Sequence, residues 1–181
     1  MRTISRNVLM IFTILVFTNA VNMLSAQNSQ KGKIAFSVKK GLSTVKGEFK
    51  KFTYTIDLAS SIAGTAEVTS INTNNTKRDA HLQSSTWFDS EQYPQIQVKS
   101  RKVNAISDAN NTSNNKYIGV FEITIKGKTE TKEIPFSVIN ENGEKFLKMN
   151  FTLSLDTFDI GGGVLDFFVG DKVTVDLKLP F

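Results

Sequence analysis

From Lys33 onward the apolar positions recur every second residue, which is the repeat of a strand whose alternate side chains leave opposite faces of a sheet. Ile34, Phe36 and Val38 alternate with Ala35, Ser37 and Lys39. A stretch from Val45 runs through the doubled Lys50 and Lys51, which suggest a bulge, into Phe52, Tyr54, Ile56 and Leu58. Ala66 and Val68 continue the habit. Ile96 and Val98 resume it directly after Pro94, a residue that opens a strand but does not fit inside a central one. The second half repeats the pattern more strongly, in Phe121, Ile123 and Ile125, in Ile134, Phe136 and Val138, in the run Leu147, Met149, Phe151, Leu153 and Leu155, and in Val173, Val175, Leu177 and Leu179. Eight strands are predicted. The Gly127 region and the NENG cluster, Asn140 to Gly143, supply turns between them.

Three segments break the pattern. TKRDAHLQSS, Thr76 to Ser85, carries Thr76 with Asp79 three residues on, an approximate capping box. It predicts a short helix between the third and fourth strands, continuing through Trp87 and Phe88 as a lid or plug. SDANNTSNN, Ser107 to Asn115, reads as a polar surface loop. Gly161 to Gly163 lacks the strand before and helix after that a phosphate-binding loop needs, and reads as a flexible turn.

Eight strands with short connections, each with one apolar face, point to an all-β fold: a single antiparallel barrel that closes on itself and leaves no open edge. A barrel of that size is either just filled by its own side chains or holds one small ligand. An eight-stranded outer-membrane barrel is the alternative with the faces exchanged. Mid-strand charges such as Lys99 and Glu122 would then face lipid at considerable cost, so a barrel with a polar exterior is preferred.

The N-terminus changes the picture of where the chain works. Arg2 and Arg6 precede VLMIFTILVF, Val8 to Phe17, and Ser25 and Ala26 follow a more polar stretch, the order of a secretory signal peptide. The apolar run is about half of the roughly 20 residues that a spanning helix needs, so a permanent anchor is not expected. Cleavage is placed near Ala26, giving residues 1–26 as leader and 27–181 as one domain. The mature chain is expected in the periplasm or outside the cell. Its formal charge falls from +5 to +3 with the loss of Arg2 and Arg6, and the remaining charges are interspersed, which argues against a nucleic-acid stripe. The absence of cysteine excludes disulfides, thiolate metal sites and a lipidated N-terminal Cys. The 14 Phe residues can supply the core that must then stabilise the domain alone.

The chain from Ile34 to Phe52, IAFSVKKGLSTVKGEFKKF, and above all KRDAHLQSSTWFDSEQYPQIQVKS, Lys77 to Ser100, resembles the YceI-like, polyisoprenoid-binding family. The Arg-Asp-x-His-Leu, Phe-Asp and Tyr-Pro-x-Ile elements of that block carry the likeness. FEITIKGKTE (Phe121 to Glu130) and VGDKVTVDL (Val169 to Leu177) extend it over essentially the whole domain. Two departures concern the far end: the Phe158 to Phe168 connection is longer and more apolar than the family's turn, and Thr157 stands where the family often has Arg. The resemblance implies a lipocalin-like barrel whose apolar interior accepts a polyprenyl chain, an isoprenoid quinone or a similar long-tailed amphiphile.

Candidate chemistry is thin. His81 is the only histidine, Asp79 lies two positions away and would not face it on a helix, and no zinc set or nucleophile motif is present. No catalytic residue, metal or cofactor is expected. The expected partner is an apolar small molecule, with a homodimer left open. Phe36, Val38, Phe52, Tyr54, Ile96, Val98, Phe121, Ile123, Phe136, Met149, Phe151 and Leu153 form the candidate wall, with Trp87 and Phe88 near an opening. For each of them plain core packing is the competing reading. Arg78, Asp79 and His81 cap and pin the helix against the rim in the preferred account; in the other, Arg78 or His81 meets the ligand's head. The competing function is a structural or partner-binding module whose barrel is filled.

Overall fold

Two tight turns set the register of the second half. Asn142 and Gly143 sit at φ 53° and 82°, and Lys126 and Gly127 at 49° and 74°, the left-handed pairs that match hairpin twist. Each therefore joins strands whose last and first residues face each other, Glu141 with Glu144 and Ile125 with Lys128. The computed structural model describes residues 32–40, 42–106, 115–161 and 169–181. The expected leader, Ser107 to Asn114 of the polar loop, and Gly162 and Gly163 lie outside them.

The elements are β1 (Lys33–Lys40), β2 (Ser43–Phe49), β3 (Phe52–Asp57), β4 (Ser61–Glu67), β5 (Ile71–Asn72), α1 (Thr76–Leu82), β6 (Gln95–Ala105), β7 (Lys116–Ile125), β8 (Lys128–Glu141), β9 (Glu144–Ser154) and β10 (Val169–Pro180). All strands belong to one antiparallel sheet in the order β3-β4-β6-β7-β8-β9-β10-β1-β2-β5. The architecture is all-β with one short helix, as the period-two pattern predicts.

Among the described residues, pairing divides the sheet into ten strands where eight are predicted, and the difference lies largely at the doubled lysines. The chain leaves β1 at Phe49 and joins β4 at Phe52, so Lys50 and Lys51 form a corner between two ladders instead of a bulge within one. The backbone there stays satisfied. Lys50 N donates to Ser70 O and Lys51 N to Ser70 Oγ, each at 3.1 Å, from the 3-10 turn Val68–Ser70. The tenth strand, β5, is only two residues long and pairs with Glu48 and Phe49, too short to show as alternation. β3 stands at one end of the strand order and β2 lies next to β5 at the other, so the corner at Lys50 and Lys51 curls the sheet; among the described residues no ladder pairs β3 with β2 or β5, and the edge-free closure expected from the pattern is not completed by strand pairing.

The apolar faces turn inward. Phe121, Ile123, Ile134 and Leu147 are almost completely buried, each such burial being worth about 1.5–3 kcal/mol. Lys99, Glu133 and Lys148 face out and are exposed, the reverse of a membrane barrel, which sets that alternative aside. One close approach depends on glycine. Gly47 lies opposite Phe36, and a Cβ there would overlap the Phe36 ring and crowd the Thr73 methyl, so only a bare backbone lets that ring lie across β2.

Candidate functional site

The two ends of the barrel are closed differently. At the end where β1 begins, Phe52, Ala66 and Leu179 pack together with Ile34, Phe49 and Tyr54 to make a floor. The Tyr54 hydroxyl donates to Pro180 O at 2.9 Å, tying β3 to the end of β10. Burial holds the Tyr54 phenol above its ordinary value, with the Glu144 carboxylate adding to the effect.

The other end is covered by α1 and the turns after it. The N-cap is Asn75, whose side chain accepts from Arg78 N at 3.0 Å; Thr76 is the first helical residue and makes no capping box with Asp79. Asn74 at φ 59° ends the extended chain one residue earlier than the Thr76 signal implied, so Asn75 meets the first free N–H groups. Asp79 instead accepts from Thr73 N at 2.9 Å and from the Thr73 hydroxyl. Arg78 Nε donates to Thr73 Oγ1 at 2.7 Å and its Nη2 to Thr73 O at 2.8 Å. Both charged residues thus fasten the helix to the buried Thr73 beyond β5. The helix ends at Leu82, and the chain continues through turns rather than as helix to Trp87 and Phe88.

Those turns are tied down at their far side. Lys126 Nζ donates to Asp159 O at 2.8 Å and to Thr86 O at 3.3 Å, and Gly161 N donates to Thr86 O at 3.1 Å. Trp87, Phe158 and Ile160 are buried under this seam. His81 is exposed and meets the Trp87 ring edge-on at 5.8 Å between centroids. Asp79 receives both Thr73 donors on Oδ1, and no hydrogen bond joins its carboxylate to His81.

Between floor and lid lies a cavity of about 330 Å³ with an almost wholly apolar wall. Its size is that of a small-molecule site. Phe36, Val38, Tyr54, Ile96, Val98, Phe121, Ile123, Met149, Phe151 and Leu153 line it, as do Arg78, His81, Trp87 and Phe88 on the lid side. Two expected wall residues do not. Phe52 is part of the floor, and Phe136 packs behind the wall, its ring stacked on Tyr117 at 5.2 Å and edge-on to Phe121 at 6.2 Å. Both face inward as predicted, but alternation fixes the face and not the depth at which the hollow lies. The lining also includes Val45, Phe49, Leu155, Val173, Val175 and Leu177, which share the same period and could have been named from it. Phe158 and Ile160 line it too, from a non-repetitive segment with no strand signal.

A second, more open depression of about 660 Å³ is lined by Lys33, Lys116, Lys148, Asp176 and Lys178 together with Ile106, Tyr117, Phe136, Met149 and Leu177. Among the described residues no three of His, Cys, Asp and Glu gather as a metal set, and no helix is long and apolar enough to cross a membrane.

A curled antiparallel barrel around one apolar hollow defines the class of lipocalin-like folds. Within it, the chain belongs to the YceI-like domain family, which matches residues 26–181. UPF0312 proteins of Staphylococcus aureus are 31% identical over 109 residues, 56% of this chain, and the match spans 57% of their length. BcnA of Burkholderia cenocepacia superposes with a TM-score of 0.72 at 26% identity, covering 83% of this chain and 96% of that one. A polyisoprenoid-binding domain of Saccharophagus degradans, implicated in plant cell wall breakdown, shares the fold at a TM-score of 0.68 and 12% identity, over 84% of this chain and 94% of its own.

Proposed function

We propose that this chain is an exported carrier or store that holds a long-tailed apolar amphiphile, of the polyisoprenoid or isoprenoid-quinone class, inside the barrel and catalyses no reaction. The observation that carries the reading is the apolar cavity between the Phe52 floor and the Trp87 lid. A module filled by its own side chains would leave no such space, which counts against the competing reading. The name of the Saccharophagus degradans domain supports the ligand class by fold likeness alone.

Energetics place selectivity in the tail. Burying roughly 400 Å² of apolar ligand surface is worth about 10 kcal/mol before ordering costs, whereas one neutral hydrogen bond nets about 1 kcal/mol. Mass spectrometry of an organic extract of the gently purified protein should show a long-tailed lipid. The same extract of Val98→Trp, which places an indole in the cavity from β6, should be depleted of it while circular dichroism stays that of a folded barrel. An empty wild-type extract, together with no uptake of added polyprenols, would refute the carrier.

A further inference from the structure

The hairpin between β1 and β2 ends on a feature that the cavity does not explain. Leu42 is fully in solvent, at 111% relative exposure, while the other exposed large apolar side chains among the described residues, Ile106 and Phe181, reach 37% and 39%. Turn positions of this kind ordinarily carry Gly, Asn, Asp or Ser. Lys39 and Lys46 flank it, both exposed, and each follows a cavity-lining residue, Val38 and Val45, so both ammonium groups leave by the outer face. Lys172 stands exposed beside them on β10, next to Val173, the partner of Val38; among the described residues the exposed Asp171 and Asp156 are acidic neighbours at this end, and Glu48 further down β2 is engaged by Lys50.

The tip also stands in a useful place. Gly47 adjoins Thr73, three residues before α1, and Leu42 lies five residues nearer the hairpin tip, about 16 Å at the rise of a strand. The tip therefore stands at the lid end, with Val38, Val45 and Val173 of the cavity wall below it.

We infer that the β1–β2 tip docks the protein on an anionic lipid surface, with Leu42 entering the boundary between head groups and acyl chains and Lys39, Lys46 and Lys172 meeting lipid phosphates. One apolar side chain ringed by cations buries far too little for a protein partner, whose stable interfaces need at least about 1,200 Å². An apolar anchor combined with a few lysines is the kind of paired signal that holds a protein at an acidic bilayer. Docked this way, the lid end of the cavity faces the phase in which a long apolar tail resides. The purpose of the device rests on the carrier reading, but its test does not.

The test is co-sedimentation of the purified protein with vesicles of phosphatidylcholine alone and of phosphatidylcholine containing about 30% phosphatidylglycerol, at low salt and at about 0.5 M salt. Binding is expected to the acidic vesicles only and to fall at high salt. Leu42→Asp should weaken it about tenfold or more, and Lys39→Gln and Lys46→Gln about fivefold each. Leu42 is outside the cavity lining, so Leu42→Asp should keep whatever lipid the wild-type extract contains; a wild-type extract without lipid, together with no uptake of added polyprenols, would sink the carrier and leave the docking result standing. Wild-type protein that stays in the supernatant with acidic vesicles, binds neutral ones equally, or binds undiminished as Leu42→Asp would overturn the docking surface, the last outcome leaving Leu42 to some other partner.

Discussion

Arg78 illustrates how much a single side chain can decide. It lines the cavity, which suits a head-group contact, yet two of its nitrogens are already committed to Thr73. Hydrogen bonds from a charged donor are worth about 1.5–3 kcal/mol, and Arg78→Ala also leaves the buried Thr73 carbonyl without this donor. The variant should therefore lose about 2 kcal/mol, read as a melting temperature several degrees lower, with the lipid content of the folded fraction unchanged. An unchanged melting temperature with lost cargo would move Arg78 to the ligand. Tyr54 gives a pH signature. Its phenol is held above the ordinary value of 10.0 by burial in the floor, so the folded state keeps a proton that the unfolded chain releases. The associated stability is complete below about pH 10 and is lost as pH rises through the raised folded value. Tyr54→Phe should be less stable than wild type at about pH 8, lacking the bond to Pro180 O, and the gap should narrow as the pH rises beyond the ordinary phenol range. A gap constant across that range would show that the phenol's titration contributes nothing.

At the scale of elements, the lid is the part with least support of its own. An isolated helix of seven residues is not stable in water, so α1 depends on its cap and on Thr73. Asn75→Ala should cost about 1 kcal/mol and act on the lid before the barrel. A fluorescent apolar probe preloaded in the cavity should dissociate several-fold faster from the variant, with the melting temperature only slightly lower; unchanged dissociation would mean that cargo does not leave past α1. The same element shows what a sequence can and cannot disclose. Alternation placed the strands, and Asn142-Gly143 placed a hairpin, because both are local consequences of pleat and φ. The helix was legible too, but its cap was misplaced by one residue because Thr76 and Asn75 are both good caps and only the turn at Asn74 chooses between them. The corner at Lys50 and Lys51 was invisible for a different reason: a strand that changes partner keeps its period, and the Ser70 groups that make the change possible lie 19–20 residues further along the chain.

For the whole molecule, the cavity and the stability of the fold are one question. A barrel that keeps a hollow of about 330 Å³ forgoes the contacts that side chains filling it would make, and neither Phe52 nor Phe136 moves in to fill it. Occupation should then stabilise the folded state by mass action, since the unfolded chain offers the ligand no enclosed apolar surface. At a ligand concentration about one hundred times the dissociation constant the gain is about 2.7 kcal/mol, several degrees in melting temperature for a chain of this length. Delipidated protein titrated with polyprenols of increasing length should show this shift growing until the tail outruns the space between the Leu179 floor and the Trp87 lid, then levelling off or reversing. Val98→Trp, already partly filled from within, should melt higher than wild type when empty and respond less to every polyprenol. A shift that ignores tail length, or an equal response from Val98→Trp, would place the ligand on the outside of the barrel and not in the hollow.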